Sequence, residues 1–156
     1  MQIGIFVYSN TGHTLSVARR LDERLSADGH AVTLEELEVA GALDRSAATA
    51  PLERYPSVEP YDALVFASPV NGGRMSAPMK SYLDQIPSLE RKKVICLVTH
   101  FLFTGWGAEQ TMEQMTDACE AKGATVLGSG HVRWSSLRRR KRISTVVGEI
   151  AALVGA

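Results

Sequence analysis

Three short stretches, residues 3–8, 63–67 and 94–98, are almost wholly apolar and too short for a helix with one wet face. A strand reads this way when both of its faces are covered, as in a parallel sheet flanked by helices. Between these stretches the apolar residues return at helical spacing. Leu15, Ala18, Leu21 and Leu25 share one face of a helix predicted over residues 12–28 and ended by Gly29. Further helices are expected over residues 78–86, 108–122 and 143–154, with Pro87 and Gly123 as stops to the first two. Residues 31–34 and 125–127 are more mixed and predict strands at the sheet edges, while Pro51, Pro56 and Pro60 leave residues 41–60 irregular. Right-handed crossovers with the three apolar strands inside give the strand order 2-1-3-4-5. The expectation is a three-layer α/β sandwich around a five-stranded parallel sheet, built as one domain over residues 1–156.

That order places a switch point between strands one and three, where ligands bind beyond the carboxyl ends. Function is therefore expected in the loops at residues 9–14, 68–76 and 99–107. The first, Ser9-Asn10-Thr11-Gly12-His13-Thr14, sets hydroxyls and a glycine where a strand gives way to a helix. Free backbone N–H groups and the positive end of the helix dipole favour an anion there. Neutral hydroxyls suit a phosphate monoester that is held and not cleaved. No G-x-x-x-x-G-K or G-x-G-x-x-G signature is present, and the loop has no cysteine nucleophile, which argues against a nucleoside triphosphatase, a dinucleotide site and a phosphatase.

The spacing Ser9-x-Thr11-Gly12-x-Thr14 after a first strand resembles the phosphate loop of flavodoxins, which bind flavin mononucleotide (FMN). Ser68-Pro69-Val70-Asn71-Gly72-Gly73-Arg74-Met75-Ser76 is similar to the loop that meets the isoalloxazine ring in flavodoxin-like proteins. With Met79, Lys80, Asp84 and Gln85 it also resembles a family of quinone reductases of that fold. Asn71-Gly72-Gly73 accepts positive φ, so a peptide here is able to turn its carbonyl toward the flavin when N5 gains a proton. Flavodoxins often carry a tryptophan in this loop; here Met75 is the candidate for that face. The third loop, Thr99-His100-Phe101-Leu102-Phe103-Thr104-Gly105-Trp106-Gly107, offers aromatic platforms for a planar ligand. Its Gly105-Trp106-Gly107 resembles the loop whose N–H groups meet the pyrimidine edge in flavodiiron proteins. The resemblance spans essentially the whole chain and implies a flavodoxin-like fold with FMN as cofactor.

Residues outside these loops are read more plainly. Cys96 and Cys119 fall in a strand and a helix, without the spacing of a zinc site or redox pair, and are expected as buried free thiols. His13 occupies a variable position of the motif and is expected in solvent, and His30 and His131 have no evident partners. Residues 1–132 carry 11 Lys and Arg against 16 Asp and Glu, a net −5, whereas residues 138–142 are all basic. This run reads as a solvated helix start, and without interleaved aromatic residues it gives no reason to expect nucleic acid.

No apolar run approaches the length of a membrane span, and the chain enters its first strand without a basic leader, so a cytoplasmic protein is expected. The short chain favours a carrier of electrons between redox partner proteins, as a monomer or weak dimer. The alternative is an NAD(P)H-dependent FMN quinone reductase.

Overall fold

In the computed structural model, which describes residues 1–44, 46–101 and 105–155 (residues 105 and 106 by backbone alone), ten elements follow in order. They are β1 (Gln2–Val7), α1 (His13–Ala27), β2 (Ala31–Glu36), β3 (Ala63–Asn71), β4 (Arg74–Met75), α2 (Ala77–Gln85), β5 (Lys93–His100), α3 (Gly105–Glu120), β6 (Thr125–Arg133) and α4 (Arg139–Gly155). The sheet runs β2-β1-β3-β5-β6, all parallel, with β4 paired antiparallel to β3. This is the expected order and the flavodoxin-like fold.

Each apolar strand divides its side chains between two cores, as period-two geometry demands. Ile3, Ile5 and Val7 pack with Val17, Leu21 and Leu25 of α1 and with Val146 and Ile150 of α4. Phe6, Leu64 and Phe66 pack on the other face with Met79, Tyr82 and Leu83 of α2 and Met115 of α3. Cys96 and Cys119 are buried and free in this second core. The Cys119 thiol is held well above its ordinary range by its hydrogen bond to Cys96 and by burial. Among the described residues no helix is long and apolar enough to cross a membrane.

Several elements run further than their sequence suggests, β3, β6 and α3 among them. β3 continues through Pro69 to Asn71, where a loop is expected from Ser68. Ala67 directs its carbonyl at Tyr8, so by alternation Pro69 turns its missing N–H to the side on which β1 has already ended. β6 runs through Gly128 and Gly130 to Arg133, well past the expected end at Leu127. Those glycines make room for α4: a Cβ on Gly128 would stand 2.8 Å from Leu153, and one on Gly130 would stand 2.8 Å from Val146. α3 starts at Gly105, three residues before the expected start at Ala108, so Gly105, Trp106 and Gly107 belong to its first turn. The low helix propensity of glycine conceals that start.

Candidate functional site

The carboxyl ends of β1, β3 and β5 open into a cleft of about 370 Å³, lined by Asn10, Thr11, His13, Thr14, Pro69, Val70, Asn71, Thr99, His100 and Phe101. All three expected segments therefore meet at the β1/β3 switch point. The volume falls within the usual range of small-molecule sites.

At its base, Gly12 is the N-cap of α1 with φ +88°, a conformation that favours glycine, and no side chain caps the helix. A Cβ on Gly12 would meet nothing within 4 Å, so the space above it is open. The first N–H groups of α1 have no acceptor within the helix, and with the helix dipole they favour an anion. Ser9 shapes the turn by accepting the Gly12 N–H on its Oγ at 3.0 Å, and Asn10 Oδ1 accepts from the Tyr8 hydroxyl. Thr14 is almost fully buried, and its hydroxyl lies 2.7 Å from that of Thr99 on β5. That contact locks the first loop to the third.

One wall is the β3–β4 hairpin. Asn71 pairs with Arg74, leaving Gly72 and Gly73 as a two-residue turn with φ +59° and +76°. Positive φ at both central residues is the type I′ requirement, and its twist matches that of the flanking strands. The hairpin is braced from behind: the Met75 N–H donates to Gln114 Oε1 at 2.9 Å, and Gly107 is buried where a Cβ would lie 3.5 Å from Val70 and 3.7 Å from Gly73. Ser68 stands behind the cleft with no exposed surface, accepting the Ser76 N–H at 3.0 Å and bonding the Ser76 hydroxyl at 2.9 Å. Ser76 in turn caps α2 by accepting the Met79 N–H. Ser68 and Gly107 thus support the wall and do not line it. Met75 is buried within the second core.

The opposite wall holds Thr99, His100 and the exposed ring of Phe101. Phe103 lies outside the described residues, as does the side chain of Trp106. His131, expected without a partner, lies with Nδ1 3.1 Å from His100 Nε2. Its pKa is lowered by burial, by Arg142 and by His100 itself. His13 is half-buried and not in open solvent: its ring stacks on Trp134 at 4.2 Å and 12°. Its pKa is lowered by burial and then by Arg139. Trp134, which sequence reasoning missed, is placed by a hydrogen bond from its backbone N–H to the His100 carbonyl at 2.7 Å. No local pattern marks it; a lone tryptophan just past a strand end was the available signal.

Known structures share this architecture at low sequence identity. A mutant of the flavodoxin from Pseudomonas aeruginosa superposes with a TM-score of 0.70 at 16% identity, covering 100% of both chains. The flavodoxin from Streptococcus pneumoniae TIGR4 gives 0.68 at 16%, over 97% of this chain and 99% of that one. A flavoprotein in complex with FMN from Lactobacillus acidophilus NCFM gives 0.66 at 18%, over 93% and 97%. Fold and cleft together define a flavodoxin-like α/β protein. The chain belongs to the NADPH-dependent FMN reductase family, whose model matches residues 1–137, and its cofactor is FMN. The uncapped start of α1 and the open space over Gly12 suit that cofactor's phosphate.

Proposed function

We propose that FMN lies across the switch-point cleft and that the protein works as an electron carrier, passing electrons chiefly one at a time. In this reading the turn at residues 9–14 holds the phosphate, through the free N–H groups of α1 and the hydroxyls of Thr11 and Thr14. Pro69, Val70 and Asn71 flank the ring on one side, and Thr99, His100 and Phe101 on the other. When bound, FMN supplies a ring that takes up and releases electrons singly or in pairs.

The observation that carries the proposal is the Gly72–Gly73 turn at the rim of the cleft, with both residues at positive φ. Turning the central peptide over converts a type I′ turn into type II′, and glycine is at ease in both. The hairpin is thereby suited to present either an N–H or a carbonyl to a ring whose edge changes protonation. Phe101 stands exposed at the mouth, which suits a ring reached by another protein's redox centre. Redox partner proteins are accordingly the proposed donors and acceptors.

The family match supports the second reading, an NAD(P)H-dependent reductase acting through the same cleft. The two are separated by stepwise anaerobic reduction followed by absorbance, together with NADPH:quinone turnover on the same preparation. Two resolved one-electron steps with slow turnover support the carrier. A single two-electron step with fast, saturable turnover overturns it in favour of the reductase.

A further inference from the structure

The basic run at residues 138–142 takes no part in the cleft and enters none of the three ion pairs found among the described residues. It leads into α4, and its residues 138–141 border a hollow of about 760 Å³ that also has Phe101, Trp134 and Leu137 in its wall. Phe101 lines both this hollow and the cleft, so the two share a boundary. Leu137 is fully exposed, at 104%, and Phe101 is 61% exposed. A small-molecule site encloses its apolar side chains, whereas these protrude among charges, as the apolar centre and polar rim of a protein interface do.

The fold does not account for the charge. Cations at a helix N-terminus oppose the macrodipole, and adjacent like charges repel. Arg139 is fixed by donating to the Trp134 carbonyl at 2.8 Å and lying 4.5 Å from the Trp134 ring centre, and Arg142 donates to the His131 carbonyl at 3.3 Å. Neither contact neutralises a guanidinium, but both hold it in place, which lowers the ordering cost of docking. Residues 1–132 carry 11 basic and 16 acidic groups, a net −5, and residues 133–156 carry 6 and 1, a net +5. A field of one sign at one edge of an otherwise acidic body steers partners of the opposite sign.

We propose that this face docks an acidic one-electron redox protein, with Leu137 and Phe101 as apolar anchors, and brings its redox centre to the mouth of the FMN cleft. The inference deepens the carrier reading and rests on it for the electron transfer, though not for the docking. The transfer moves one electron from the reduced partner, which is oxidised, to the flavin, which is reduced.

The probe is a plant-type [2Fe–2S] ferredoxin, used for its acidic surface. It is tested against the holoprotein, the R138E/R140E/K141E variant and Leu137→Ala. Calorimetry with oxidised ferredoxin reads docking, and stopped flow with reduced ferredoxin reads transfer. The triple variant is expected to lose about tenfold or more in both at low salt, and the wild-type rate to fall steeply as salt rises. Leu137→Ala is expected to weaken docking with the salt dependence retained, and FMN content is expected to be equal in all three. Unchanged ferredoxin binding by the triple variant overturns the proposal. So does equally tight binding of a mixed-sequence DNA duplex, which would make the face a general polyanion patch. Wild-type self-association abolished by the triple variant would make it an interface between copies, and a raised KM for NADPH with ferredoxin docking intact would make it a small-phosphate site; either overturns the inference. Charge-dependent docking by a protein that holds no FMN would leave the docking face standing and remove the flavin reading alone.

Discussion

The hydroxyl pair of Thr14 and Thr99 gives the sharpest test of how the cleft holds a phosphate. The two residues lie 85 positions apart and meet as buried groups 2.7 Å apart. Each hydroxyl has one proton to donate. If Thr14 gives its proton to a phosphate oxygen, its own oxygen accepts from Thr99, so Thr99 acts on the phosphate through Thr14. Thr14→Val keeps the shape and removes a hydrogen bond to a charged group, a loss of about 1.5–3 kcal/mol or roughly ten- to a hundredfold in FMN affinity. Thr99→Val removes one neutral hydrogen bond from the relay, so FMN is expected to bind about two- to tenfold more weakly. Folding stability should also drop by about 1–3 kcal/mol, because the Thr14 hydroxyl is left buried beside a methyl group. The double variant replaces both partners by apolar groups of the same shape, so its stability should return toward wild type while FMN affinity stays as weak as in Thr14→Val. Apoprotein titrated with FMN by flavin fluorescence, with riboflavin as the phosphate-free control, and urea unfolding of the same proteins read the two quantities separately. The relay is refuted if Thr99→Val matches wild type in both, or if Thr14→Val weakens riboflavin as much as FMN.

Three further outcomes follow from the geometry around the cleft. The pKa of His131 is lowered in the fold from its ordinary 6.5, so the unfolded chain binds its proton more readily. Stability is then full above about pH 6.5 and falls as pH drops toward the folded pKa; the urea midpoint should be lower at pH 5.5 than at 7.5, and His131→Gln should narrow that difference. Gly72→Val or Gly73→Val forces a β-branched residue to positive φ at about 1–2 kcal/mol, and should both lower the urea midpoint and merge the two one-electron steps of the anaerobic titration. Ser68→Ala removes the acceptor of the Ser76 N–H and should cost about 1–3 kcal/mol in stability while leaving FMN affinity near wild type; a large loss of affinity with unchanged stability would return Ser68 to the ligand's own contacts.

Strand order and the position of the cleft were legible in the amino-acid sequence because both follow from local patterns. Apolar runs at residues 3–8, 63–67 and 94–98 need cover on both faces, and that need, with a fixed crossover hand, leaves little choice of topology. The turn at residues 9–14 was equally legible, since its chemistry is that of its own backbone and hydroxyls. Pairings between distant segments were decided only by the tertiary structure. Pro69 and Gly128 read locally as breakers, yet one sits in a strand whose neighbour has ended and the other gives space to Leu153. His131 met His100 because β5 and β6 run side by side, and His13 met Trp134 because the residue after β6 lies against the start of α1. Periodicity reports which face of an element is buried; which side chain lies opposite is set by packing, and packing is not periodic in sequence.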